Sequence, residues 1–177
     1  MRHHQPHRHH LRRPTAVAAG LLLTLTATVG ATASASAAAP SRPAAAQALV
    51  VNARWGGHCT YDRLVFDVKG TVPTVTVRPV TKLIYDPSGK KVPLSGKYFL
   101  EVRFSPAAAH NASGQSVYRG PRLTKIGLPV LKGLALTGDF EGVVTFGAAY
   151  GAKPVPKTSV LHSPERYVLD VPHAKVC

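Results

Sequence analysis

The chain has 177 residues, of which 22 are Lys or Arg and only 8 are Asp or Glu, a formal charge of +14 at pH 7. Such an excess favours polyanionic surroundings such as cell-wall polymers, acidic glycans or nucleic acid. The length is that of one domain, so a separate catalytic domain beside it is not expected.

The first fifteen residues, MRHHQPHRHHLRRPT, hold four Arg, five His and no acid. An apolar run from Ala16 to Ala33 follows, and then the small-residue string SASAAAP. Basic head, short apolar middle and small-residue exit define a secretory signal peptide over residues 1–37. The run has too many Thr, Gly and Ala to hold in a bilayer as a span, so no transmembrane segment is expected in the mature protein. Cleavage after Ala35 or Ala37 is compatible with the exit, and Ala37 is preferred because Pro40 disfavours a cut after Ala39. Arg12-Arg13 lacks the bulky apolar residues of a twin-arginine signal, so the general secretory route is expected. The leading His cluster is a basic head that is removed, not a metal site. With the signal gone, Lys plus Arg falls from 22 to 18 against 8 acids, a formal +10. An exported protein rarely meets nucleic acid, and along the chain the basic residues are scattered, so nucleic acid is not an expected partner.

Residues 38–48 form a Pro/Ala-rich linker without a pattern that could bury anything. From 49 to 177 the chain is cut by Gly and Pro into short strand-like pieces. They are LVVNARW, YDRLVFDV, TVTVRPV, KLIYD, YFLEVRF, RLTKI, GVVTFGAAY, TSVLH and RYVLDV. DPSGKKVPLSGK is a turn followed by a loop, and SPAAAHNASGQS has room for one helical turn. Short strands at such spacing predict an all-β domain, a sandwich or barrel.

Two of these pieces share the pattern Arg-x-Val-x-Asp-Val, at Arg63–Val68 and Arg166–Val171. Alternation sets Leu64, Phe66 and Val68 on one face and Arg63, Val65 and Asp67 on the other. In the second copy Tyr167, Leu169 and Val171 oppose Arg166, Val168 and Asp170. Arg and Asp within one strand lie roughly 13 Å apart and cannot pair. An antiparallel register with Val65 opposite Val168 sets Arg63 against Asp170 and Asp67 against Arg166, whereas a parallel one sets like against like. The same register brings Cys59 opposite Ala174, three residues from Cys177. An exported chain with two Cys and no metal motif pairs them, so a Cys59–Cys177 disulfide is expected.

In YDRLVFDVKG, YDPSGKKVPL, YFLEVRFSPA, GDFEGVVTFG and RYVLDVPH, which follow in that order from Arg54 to His173, the chain resembles the AMIN-like domain proteins. These are bacterial relatives of the AMIN domain that accompanies cell-wall amidases and some secretion pore proteins. The resemblance implies a β-sandwich of two sheets with related halves. It also implies a non-catalytic module that binds peptidoglycan or an envelope partner.

No catalytic constellation stands out. The chain has no His-Glu-x-x-His and no Gly-x-Ser-x-Gly elbow. His58, Cys59, His173 and Cys177 could be drawn as a zinc site, but His58 and Cys59, adjacent in sequence, would point to opposite faces of a strand. No metal and no cofactor are expected. Asp139 and Glu141 would lie about 7 Å apart on a shared strand face, a spacing that invites a glycosidase reading. A turn entering a strand explains them better, and neither is taken as catalytic. GDFEG is nevertheless the preferred ligand patch, with Asp139, Phe140 and Glu141 offering an aromatic flanked by two acceptors. The expected function is a secreted, non-enzymatic module that binds peptidoglycan, an anionic wall polymer or an envelope protein, with a secreted inhibitor or protein-binding domain as the alternative.

Overall fold

The computed structural model describes residues 47–177. The expected signal peptide and nearly all of the linker lie outside the described residues. Ala48, the last residue assigned to the linker, is already buried in the first strand, so the domain starts one residue earlier than expected.

Two five-stranded sheets face each other. The first holds β1 (Ala48–Gly57), β2 (Tyr61–Lys69), β5 (Ala107–Ala108), β9 (Lys157–Leu161) and β10 (Arg166–Pro172), in the order β5-β1-β2-β10-β9. The second holds β3 (Thr74–Val80), β4 (Tyr98–Ser105), β6 (Leu123–Lys125), β7 (Leu131–Phe140) and β8 (Val143–Tyr150), in the order β3-β4-β8-β7-β6. β1 with β5 is a parallel pair, and the other neighbours are antiparallel. The domain is an all-β sandwich.

The two echoed strands, β2 and β10, lie side by side with Val65 opposite Val168, Arg63 opposite Asp170 and Asp67 opposite Arg166. The period-2 pattern turns Leu64, Phe66 and Val68, with Tyr167, Leu169 and Val171, into the core. There they meet Leu100, Val102 and Phe104 of β4 and Val144 and Phe146 of β8. Phe66, Phe104 and Phe146 form a cluster of edge-to-face and tilted rings with centroids 4.7–6.1 Å apart.

The middle of the second sheet, β7 and β8, is covered on both faces, and this explains what alternation did not foretell. The segment between β3 and β4 packs Leu83, Val92 and Leu94 on Ala135 of β7 and Ala149 of β8, a small second core outside the sandwich. Strands buried on both sides lose the in–out alternation, so β7 passes for a loop in LKGLALTGDF. Its glycines add to the disguise, yet Gly133 seats a leucine: a Cβ there would stand 2.5 Å from Leu94 Cδ2. KLIYD belongs to the covering segment and is not a strand, with only an isolated bridge from Ile84 to Lys91. SPAAAHNASGQS forms no helix. It supplies the two-residue β5 and then a turn in which Asn111 Oδ1 accepts from the Ser113 and Gln115 amides.

At Gly147 an added Cβ would lie 2.7 Å and 2.9 Å from the two Leu83 methyls. Gly147→Ala should therefore cost about 1–3 kcal/mol through overpacking. In urea denaturation, Gly147→Ala combined with Leu83→Ala should lose clearly less than the two single losses added together.

Candidate functional site

The β7–β8 hairpin carries the Asp139–Phe140–Glu141 patch. Phe140 and Val143 close a two-residue loop in which Glu141 and Gly142 both have positive φ, 47° and 76°. That is the primed turn whose twist matches a right-handed ribbon. Phe146 is fully buried, while Phe140 is 56% exposed at the tip. Asp139 is not a free acceptor. Its Oδ1 accepts the Ala109 amide at 2.9 Å and its Oδ2 lies 2.8 Å from His110 Nδ1. Gly142 O accepts the Ala107 amide, so the turn is fastened to β5. The expectation of two acceptors flanking an aromatic is corrected: Asp139 holds the hairpin to its neighbour, and Glu141 occupies the turn, not a strand face shared with Asp139. Among the described residues, the tip presents one exposed ring beside the exposed Glu141 carboxylate.

The outer face of the first sheet carries the echoed charges. Arg63 Nε and Nη2 donate to Asp170 Oδ1 and Oδ2, each at 2.7 Å, and the bidentate bond raises the Arg63 pKa further. The matching Asp67–Arg166 pair does not form despite its register. Arg54, on β1, takes Asp67 instead, donating from Nε and Nη2 at 2.9 and 2.7 Å, with Asn52 adding a third donor. Asp67 lies between two strands, each with an arginine, and the bidentate fork of Arg54 wins. Arg166 turns its Nε to the Pro164 carbonyl at 3.1 Å. The Arg54 hydrogen bond holds the Asp67 carboxyl below the usual carboxylate range, against the opposing effect of its partial burial. These pairs are half exposed and set register more than they add stability.

The chain end builds a site that the sequence reading passed over. Asp62, on the core face of β2, is buried, and its Oδ2 accepts the Val130 and Leu131 amides at 2.7 Å each. Its Oδ1 faces His173 Nε2 at 3.4 Å, and both side chains are almost fully covered. Burial near this carboxylate holds the Tyr150 phenol well above its ordinary range. The signal was present: alternation carried two residues back from Leu64 and two forward from Val171 lands on Asp62 and His173. Cys59 and Cys177 are joined in a disulfide with Cα atoms 5.2 Å apart. Their sulfurs are therefore bonded to each other and not available as thiolate ligands, and His58 stacks on the Tyr61 ring at 4.2 Å. Asp62, His173 and the bridge lock the sandwich end.

A two-sheet antiparallel sandwich with a pinned C-terminal tail is the class these features define. The family model for the AMIN-like domain matches residues 48–173, nearly the whole described domain. The chain belongs to the AMIN-like domain family. No curated protein and no solved structure matches it. No helix long and apolar enough to cross a membrane occurs among the described residues. Family and disulfide are compatible with an extracellular or envelope protein.

Proposed function

We propose that this protein is a secreted module that binds a component of the bacterial cell envelope without cutting it. Membership of the AMIN-like family over residues 48–173 carries this reading. The formal +10 of the chain without its signal segment supports it, because wall polymers are anionic. The exposed Phe140 ring at the hairpin tip is a surface on which a sugar ring can stack, and the Asp139 bonds keep that tip in place.

Charge-driven and specific binding can be separated. Sedimentation with purified sacculi should persist in part at about 0.5 M salt, where the Debye length is only a few ångströms. The salt-resistant part should fall in Phe140→Ala, and the melting temperature should not, because the ring packs against no core. Unchanged salt-resistant binding in that variant would remove the hairpin tip from the reading. Absence of sedimentation at every salt concentration would replace wall binding with a protein-partner role.

A further inference from the structure

The acids and bases of this domain are sorted by type. Among the described residues, Asp67, Asp170 and Glu101 are bonded by arginines, and Asp139 and Glu165 lie against histidines. Asp62 is spent on backbone amides. No lysine takes part in an ion pair among these residues.

The lysines converge instead on one surface. A groove of about 570 Å³ at the start of β4 is walled by Pro79, Tyr98, Pro154 and Pro156 and carries Lys97 and Lys153. It shares Thr81 and Phe99 with a second depression of about 380 Å³ that carries Lys82 and Lys91. The second shares Ser95 and Gly96 with a third of about 560 Å³, lined by Lys97, Lys125 and Lys132. Three depressions that share lining residues adjoin one another and form a track. Six of the ten lysines line it, and none of its lining residues is an acid. Lys132 donates to the Leu128 carbonyl at 2.6 Å, which keeps one charge fixed at the far end. The charges that are scattered in sequence are gathered by the fold.

We propose that this lysine track binds a phosphodiester wall polymer of the poly(alditol phosphate) kind. The proposal rests on the wall-binding reading above and gives it a ligand class and a place. Ammonium groups strung along connected depressions suit repeating point charges, whereas one small anion needs a converging cage. Lysine meets phosphate as a compact charge without the planar fork that reads carboxylate pairs. Proline and Tyr98 walls, the latter 42% exposed, accept the carbon chain between phosphates. Single-stranded nucleic acid would need a run of stacking aromatics, and the track offers only Tyr98 and the half-buried Phe99.

The test uses labelled poly(glycerol phosphate) and fluorescence anisotropy with the mature protein over a salt series. Lys97→Gln with Lys153→Gln should weaken binding about fivefold or more and flatten the slope of log affinity against log salt by about two. Lys69→Gln with Lys175→Gln removes the same charge from exposed positions off the track and should change affinity less than about twofold. Equal losses in the two double variants would overturn the track, because net charge alone would then explain binding. Failure to bind the polymer, with retained binding to sacculi stripped of phosphate polymers, would overturn it while leaving the wall-binding reading intact. Failure with both would sink both. Tighter binding of an oligothymidylate of equal charge would show that the occupant is a nucleic acid. All four lysines are exposed, and unchanged melting temperatures establish that the variants fold.

Discussion

Replacing Cys59 and Cys177 with serine should lower the stability of the domain by about 4–5 kcal/mol in the chain-entropy account. The bridge spans 118 residues and so closes nearly the whole domain into one loop. Its removal returns that loop entropy to the unfolded chain. The native tail loses its clamp as well. β10 ends at Pro172, and beyond it the tail is held by the His173 amide to the Thr60 carbonyl and the Val176 amide to the Cys59 carbonyl, both at 2.9 Å, and by the His173 ring against Asp62. Urea denaturation of the double serine variant and of the reduced wild type should give the same lowered midpoint. A midpoint unmoved by reductant would show that the strand pairing alone determines the stability of this end.

Asp62→Ala should be nearly as damaging, at about 3–5 kcal/mol. The substitution removes two charge-assisted bonds and leaves the Val130 and Leu131 amides buried without an acceptor. It also strips His173 of its facing carboxylate. Asp62→Asn, which keeps a carbonyl oxygen for the two amides, should recover a large part of the loss. The difference between these two variants in chemical denaturation separates the acceptor role from simple filling of space. Equal losses would mean that the two amides find water and that the carboxylate matters only through its charge.

How far the fold was legible depends on how many neighbours decide a residue's fate. The face assignment of Leu64, Phe66, Val68, Tyr167, Leu169 and Val171 needs only the pleat of one strand, and it holds. The β2–β10 register needs two strands and the complementarity of their charges, and it also holds, with Arg63 on Asp170. The partner of Asp67 needs a third strand: Arg54 of β1 competes there, and nothing in either echoed stretch announces it. β7 was hidden because Leu83, Val92 and Leu94 cover the outside of its sheet, which erases the alternation by which strands are found. In the hairpin patch only Glu141 and Gly142 form the turn expected there, Asp139 and Phe140 end β7, and the use of Asp139 by Ala109 and His110 depends on a loop thirty residues earlier in the chain. The lysine track was illegible for the same reason. Its charges come from the segment between β3 and β4, from β6 and β7, and from the loop after β8, and only the topology brings them together.

The proposed role requires that the protein hold to the wall and leave it whole. Incubation of the mature protein with purified sacculi, followed by one centrifugation, tests both halves. Assaying the pellet for protein and the supernatant for muropeptides should find the protein pelleted with the wall and the supernatant free of released fragments. Protein that stays in the supernatant, or fragments that accumulate in it with time, would contradict the account.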